Sequence, residues 1–149
     1  MISKNKKNPL YTITGCYCYL YLFFWLSQHP VKIVDVHKKN EFSAVLVENF
    51  PLTDKGKIRW WLENKNILKE KYNIPNPAQD GFYSVIFWDF GDGYKEDKYD
   101  RRCFDDMKTN KNCIEKNSLI IIKNNKHNIT FFTLDNGIYQ LKNDDIVKK

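Results

Sequence analysis

The sequence predicts an α+β fold: an N-terminal single transmembrane helix, followed by a small, mostly antiparallel sheet that one amphipathic helix covers. Three observations predict this fold. Residues 8–28 carry no charged side chain, residues 54–72 repeat apolar residues with a helical period, and the other β-prone segments alternate with turn residues. The predicted parts are a short basic cytoplasmic tail at 1–7, the transmembrane helix at 8–28 and an α+β domain at 29–149.

The uncharged segment Asn8–Gln28 has about the length that a helix needs to cross a hydrocarbon core of about 30 Å. Lys4, Lys6 and Lys7 precede it, and basic residues that flank a span are retained on the cytoplasmic side. We therefore expect residues 8–28 to contact the lipid bilayer and the C-terminal domain to be exported, which means periplasmic in a Gram-negative cell. A cleaved signal peptide is disfavoured because the segment lacks small residues at its end, and lipidation is disfavoured because most of the apolar run follows Cys16.

The charge pattern argues against nucleic acid as a partner. All eighteen acidic residues and all but three of the 24 Lys and Arg follow Pro30, so the exported part carries a net charge of about +3. Nucleic-acid binders concentrate basic residues in a patch, whereas this chain interleaves both signs, as in Lys95-Glu96-Asp97-Lys98. The pattern is typical of a solvated, mixed-charge surface. The roughly 120 residues after the anchor suffice for one domain with one core.

Two cysteines of the exported domain, Cys103 and Cys113, are predicted to form a disulfide. An oxidising compartment favours the bond, and the spacing closes a loop that would contribute about 3 kcal/mol in the chain-entropy model. Zinc would need two more ligands, and only His127 is nearby in sequence. We therefore predict no metal site and no cofactor.

The secondary-structure elements follow from periodicity and turn chemistry. The predicted helix Asp54–Tyr72 begins after the N-cap Thr53 and has a stripe that includes Ile58, Trp61 and Leu68. The predicted strands are Val31–His37, Phe42–Val47, Tyr83–Phe90, Ser118–Lys123, Asn128–Leu134 and Ile138–Leu141. Asp135-Asn136-Gly137 predicts the last hairpin, with a type I′ turn.

The sequence contains no recognisable catalytic constellation. His29, His37 and His127 have no partner at the spacing of a triad or a metal site, and no phosphate-binding glycine loop is present. We therefore predict no catalytic residue and a protein that is not an enzyme. Carboxylates crowd residues 89–106, but the bases between them indicate paired loop carboxylates. A periplasmic ligand-binding or hydrolytic domain that uses this acidic loop stays open as the alternative.

The candidate partner-binding residues are aromatic and acidic. Trp60 lies about 100° around the helix from the apolar stripe, which predicts an exposed aromatic position of the kind that often marks a partner surface. Tyr94, Asp89 and Asp92 follow the central predicted strand and complete the candidate set. The predicted partner is a protein.

Several motifs support a family assignment. They are Pro30-Val31-Lys32-Ile33-Val34, the segment Asn49–Ile58 with Trp60-Trp61, the segment Trp88–Tyr94, Cys103-Phe104 and Asn112-Cys113-Ile114. As a set they resemble a family of uncharacterised enterobacterial membrane proteins, the domain of unknown function 943, over nearly the whole chain. The resemblance implies one N-terminal span, a small exported domain, the Cys103–Cys113 disulfide and no catalytic residue.

The function predicted from the sequence is that of an inner-membrane-anchored protein with a periplasmic protein-binding domain. Some proteins similar to it are encoded beside secretion-system or toxin genes. The resemblance therefore adds immunity to an antibacterial effector as one version of this function.

Overall fold

A computed structural model describes residues 10–27 and 29–149. The chain divides into two units, residues 1–30 and residues 31–149, and each is described by itself. The predicted tail at 1–7 and the ends of the predicted span, Asn8 and Gln28, lie outside the described residues.

The first unit contains helix α1, Leu10–Ser27. It is uncharged, and Tyr17, Tyr19 and Tyr21 are each at least two-thirds exposed. In the described part of the chain, no helix combines the length and the apolar character that crossing a membrane requires. The predicted transmembrane helix 8–28 is therefore not supported, because tyrosine hydroxyls and the threonines of the first turns lower the mean hydropathy of an otherwise apolar segment.

The second unit is an α+β domain with a mostly antiparallel sheet, as predicted. Its elements are β1 (Lys32–Lys39), β2 (Phe42–Glu48), α2 (Asp54–Tyr72), β3 (Tyr83–Asp89), β4 (Arg101–Cys103), β5 (Cys113–Glu115), β6 (Ser118–Asn124), β7 (Thr130–Leu134), β8 (Gly137–Lys142) and β9 (Asp145–Lys148). Seven strands form one sheet in the order β1-β2-β3-β6-β7-β8-β9, and β4 pairs with β5 in a separate two-stranded sheet. Only β2 and β3 are parallel, because α2 connects them.

Helix α2 has the predicted boundaries and the predicted N-cap. The Thr53 side chain accepts a hydrogen bond from the Gly56 N–H at 3.0 Å, and Asn73 ends the helix in the left-handed conformation. The helix packs Ile58, Trp61 and Leu68 onto one face of the sheet, where they are at most 2% exposed. We call this sheet face the helix face.

The six predicted strands are present, with ends that differ from the prediction by at most two residues. The hairpin at Asp135-Asn136-Gly137 is present, but the predicted type I′ turn is wrong, since only Gly137 has a positive φ, of 137°. Strands β4, β5 and β9 were not predicted. They contain three, three and four residues, too few for a pattern of alternation to be visible in the sequence.

Candidate functional site

The second face of the large sheet, opposite the helix face, is only partly covered. Residues that pair directly across neighbouring strands project from the same side of a sheet, so the strand registers trace rows of side chains across this face. One row consists of His37, Ala44, Ile86, Ile121, Thr133 and Ile138. The next row includes Lys39, Phe42, Ser84, Lys123, Phe131 and, at the far edge, Val147.

Residues 90–117, between β3 and β6, cover one end of the second face, and we call this segment the flap. Phe104 and Ile114 of the flap pack on Ala44 and Leu46 of β2 and form a second, smaller core. The disulfide between Cys103 and Cys113 joins β4 to β5 within the flap, as predicted. The flap is therefore a small hydrophobic layer cross-linked in its middle.

A cleft of about 460 Å³ lies between the flap and the uncovered part of the second face. Its floor includes Phe42, Ala44, Ile86 and Trp88, and its flap wall runs from Arg102 to Asp106. Its size and largely apolar floor are those of ligand and anchor pockets in general. The cleft is the candidate site.

The charged groups at the cleft differ in how they are paired. Lys39 and Arg102 have no carboxylate within ion-pair distance among residues 10–27 and 29–149, although the Arg102 guanidinium lies 5.2 Å from the Phe104 ring centre. The Trp88 indole Nε1 is buried and has no hydrogen-bond partner in this part of the chain. The cleft thus carries two cationic side chains without an ion-pair partner among the described residues, and one of its lining residues has a buried, unpartnered N–H.

His37 connects strand β1 to the flap and lines the cleft. Its ring is 7% exposed and is stacked on Phe104 with the ring centres 3.9 Å apart. Its Nδ1 lies 2.8 Å from both carboxylate oxygens of Asp106, and its Nε2 lies 2.8 Å from the Tyr94 hydroxyl. The Tyr94 hydroxyl donates to the Asp35 carboxylate at 2.7 Å. We call these four residues, Asp35, His37, Tyr94 and Asp106, the latch.

The latch is a connected chain of hydrogen bonds. The ring of His37 connects Asp106, through Nδ1, to the Tyr94 hydroxyl, through Nε2, and that hydroxyl donates to Asp35. Burial, followed by the hydrogen bond to Asp35, raises the pKa of the Tyr94 hydroxyl far above its usual range. Tyr94 thus acts as a neutral donor, and the latch holds the flap to the edge of the sheet.

The structure distributes the predicted partner-binding residues over different places. Tyr94 is in the latch, beside the cleft. Asp92 is in the exposed turn after β3, with its carboxylate 3.4 Å from Lys95 Nζ, and Asp89 accepts a hydrogen bond of 3.4 Å from Asn117. Trp60 is partly buried on the helix face, where its ring contacts Phe50 and Phe87, and the predicted exposed aromatic position is not what the structure shows.

The acidic loop is largely paired with bases, as the charge pattern indicates. Asp92 and Glu115 pair with Lys95, Asp100 pairs with Lys116, and Asp106 contacts His37. In the region the structure describes, the one group of three side chains with metal-ligating atoms close together is Asp97, Cys103 and Cys113. Both of these cysteines are in the disulfide, so they offer no thiolate to a metal.

No sequence pattern predicts the contacts that His37 makes at the cleft. His37 and Asp106 are 69 positions apart, and His37 and Tyr94 are 57 apart. No periodicity or local motif connects residues at such separations. The one indication available was the abundance of aromatic residues around β3, which includes Trp88 and Tyr94.

The comparison with known families places the chain in a family. Residues 3–149 match the family described as "Enterobacterial putative membrane protein" of domain of unknown function 943. The chain belongs to this family. No curated protein and no solved structure matches the chain. The family description supports a membrane protein and gives no activity to assign to the latch or to the cleft.

Proposed function

We propose that this protein is a non-enzymatic, membrane-associated binding module whose second sheet face receives a partner protein. The observation that carries the proposal is the incomplete cover of that face. Beyond the flap, Phe42 is 50% exposed, Ile138 is 45% exposed and Val147 is 48% exposed. A solvated sheet face is normally polar, so exposed apolar side chains near both edges of this face, interspersed with polar ones such as Lys123 and Gln140, favour a protein interface.

The attachment to the membrane is the second part of the proposal. The family description supports a membrane association, and we propose that the uncharged N-terminal segment provides it. The lysines before this segment are the basis for placing the N-terminus in the cytoplasm and residues 29–149 in the periplasm. Carbonate extraction of membranes and cysteine-accessibility labelling of an Asn136→Cys variant test this. Release of the protein by carbonate, or labelling only after the inner membrane is opened, would contradict the anchor or the topology respectively.

Site-specific photo-crosslinking in cells tests the protein interface. We expect a photoreactive phenylalanine analogue at Ile138 or Val147 to give an adduct with a single partner, and the same analogue at Lys65, on the exposed side of α2, to give none. Mass spectrometry then identifies the partner. Adducts at Lys65 with none at the sheet positions would overturn the proposal.

Immunity to an antibacterial effector is one version of this function, and it has its own test. If the crosslinked partner is a toxin delivered to the envelope, cells that express the protein should survive the toxin, and an Ile138→Glu, Val147→Glu variant should not protect them. If the partner is an envelope assembly protein, the immunity version is excluded and the binding module stands.

The alternative, a ligand-binding or hydrolytic domain that uses the acidic loop, rests on Asp106. Of the loop carboxylates, Asp106 lines the cleft and contacts a histidine, whereas Asp89 is the last residue of β3 and Asp92 is in the turn after it. An Asp106→Asn variant that keeps the partner and the fold but loses a cellular phenotype would favour this alternative. Loss of the same phenotype in Asp89→Ala and Asp92→Ala would extend the ligand-binding or hydrolytic site to the whole acidic loop.

A further inference from the structure

Strand β4 has a free edge at the cleft. The Cys113 N–H donates to the Lys95 carbonyl at 3.0 Å, and the Lys95 N–H donates to the Cys113 carbonyl at 2.6 Å. Both backbone groups of Cys113 therefore point away from β4, so its partner Cys103 is at a non-hydrogen-bonded position of the β4–β5 ladder. It follows that the N–H and C=O of Cys103 point outward, to the open side of β4.

This open side belongs to the candidate site. Cys103 lines the cleft, together with Arg102 before it and Phe104 after it. An outward N–H and C=O on one residue are the pair that an added antiparallel strand uses for its two hydrogen bonds. Ile86 and Trp88 line the same cleft, so its floor can receive an apolar side chain of the added strand.

The charged side chains around the cleft indicate which kind of extended segment would bind there. Lys39 is on the sheet side and Arg102 is on the flap side, and both are without an ion-pair partner among the residues described. Of the two carboxylates on the rim, Asp106 is engaged by His37, which leaves Asp105. The balance favours an acidic occupant over a basic one.

We propose that the cleft binds an extended, acidic segment of the partner protein by strand addition to β4. The segment exchanges two backbone hydrogen bonds with Cys103, places an alternate apolar side chain on the Ile86–Trp88 floor and directs a carboxylate to Lys39 and Arg102. This proposal rests on the proposed function, because it describes how the partner protein proposed there is bound. The disulfide keeps the edge in position from within the flap.

Selection of displayed random dodecapeptides on the full-length protein in mild detergent provides the probe. We expect selected peptides to combine large apolar residues at alternate positions with Asp or Glu. Binding of synthetic copies is then measured by fluorescence anisotropy, and backbone N-methylation at the residue opposite Cys103 should weaken it about tenfold, because backbone hydrogen bonds are lost. The same methylation one residue along, where the N–H points to solvent, is the matched control.

Variants of the protein complete the test. Lys39→Gln and Arg102→Gln should each lower the affinity for the acidic peptide by about three- to tenfold, and Lys65→Gln on α2 should leave that affinity unchanged. Selection without acidic enrichment, equal effects of the two methylations, or indifference to both charge variants would overturn the proposal. Displacement of the peptide by dodecanoate, with no methylation effect, would assign the cleft to an apolar carboxylate and would overturn strand addition.

The crosslinking at Ile138 and Val147 separates the two levels of inference. If those positions give a partner while no peptide binds the cleft, strand addition fails and the binding module stands. If neither result is obtained, both fail.

Discussion

The two faces of the large sheet are built differently, and the difference separates stability from recognition. On the helix face, α2 covers residues such as Val85, Phe87 and Ile122 so completely that none of them is exposed. On the second face, the flap covers one end through a small core and the polar latch, and Ile138 at the other end is nearly half exposed. A domain that needs only one face for its core can leave the other available for a partner.

The largest effect should come from truncating the helix face. Ile122→Ala removes a fully buried side chain on β6 and should reduce the free energy of unfolding by about 2–5 kcal/mol, because a cavity remains. Ile138→Ala makes the same chemical change on the second face and should cost less than about 1 kcal/mol. Urea unfolding of the full chain, followed by circular dichroism, measures both. Similar losses in the two variants would show that the second face is part of the main core.

The disulfide should contribute next most. Replacing Cys103 and Cys113 with serine releases a cross-link over ten residues, for which the chain-entropy model gives about 3 kcal/mol. We expect the loss to be concentrated in the flap, so that proteolysis within residues 96–112 becomes faster while the helix face keeps its amide protection in hydrogen exchange.

Uniform loss of protection in both regions would argue instead that the flap and the helix face unfold together. The matched control is replacement of Cys16 and Cys18, which are free cysteines in α1 and should leave the domain's stability unchanged.

The helix face was also the part that the sequence predicted best. The period of Ile58, Trp61 and Leu68, a Thr53 cap and the stop at Asn73 are local signals, so they gave α2 its observed boundaries. The second face depends on pairs that are far apart in sequence. His37 meets Asp106 only because β1 lies beside β2 and the flap folds back over both. Trp60 shows the limit of the helical pattern, since a side chain about 100° around the helix from the stripe still contacts Phe50.

The latch should make the second face sensitive to alkaline pH. Burial and the hydrogen bond to Asp35 raise the pKa of Tyr94, so its neutral hydroxyl stabilises the fold fully below about pH 10, the usual value, and this contribution is lost as pH rises through the folded-state pKa. Tyr94→Phe should cost about 1–3 kcal/mol at pH 8, through the lost hydrogen bond to a charged group. Its deficit relative to the wild type should shrink as the pH rises above 10.

Tyr139 offers the matched control for this experiment. Its hydroxyl donates to Asp54 of α2 at 2.9 Å, and that hydrogen bond is the main cause of its raised pKa. The stability that Tyr139→Phe loses should therefore also shrink as the pH rises above 10. Only Tyr94→Phe should also accelerate proteolysis of the flap. If the loss of unfolding free energy in Tyr94→Phe did not change with pH, the proton of the Tyr94 hydroxyl would not be what stabilises the latch.

The smallest effect should come from the exposed ion pairs at the outer side of the flap. Hydrogen bonds from Lys95 and then Arg101 lower the pKa of the Glu115 carboxyl. Its charged form therefore stabilises the fold above about pH 4.5, the usual value, and that contribution disappears as pH falls through the lower folded-state pKa. Because the pair faces solvent, Glu115→Gln should cost little at pH 7, less in high salt, and nothing at pH 2. Urea unfolding at pH 7 and pH 2, in low and high salt, measures this. A deficit that persists at pH 2 would mean that Glu115 supports the flap by packing and not by charge, which would make the outer side of the flap resemble the helix face.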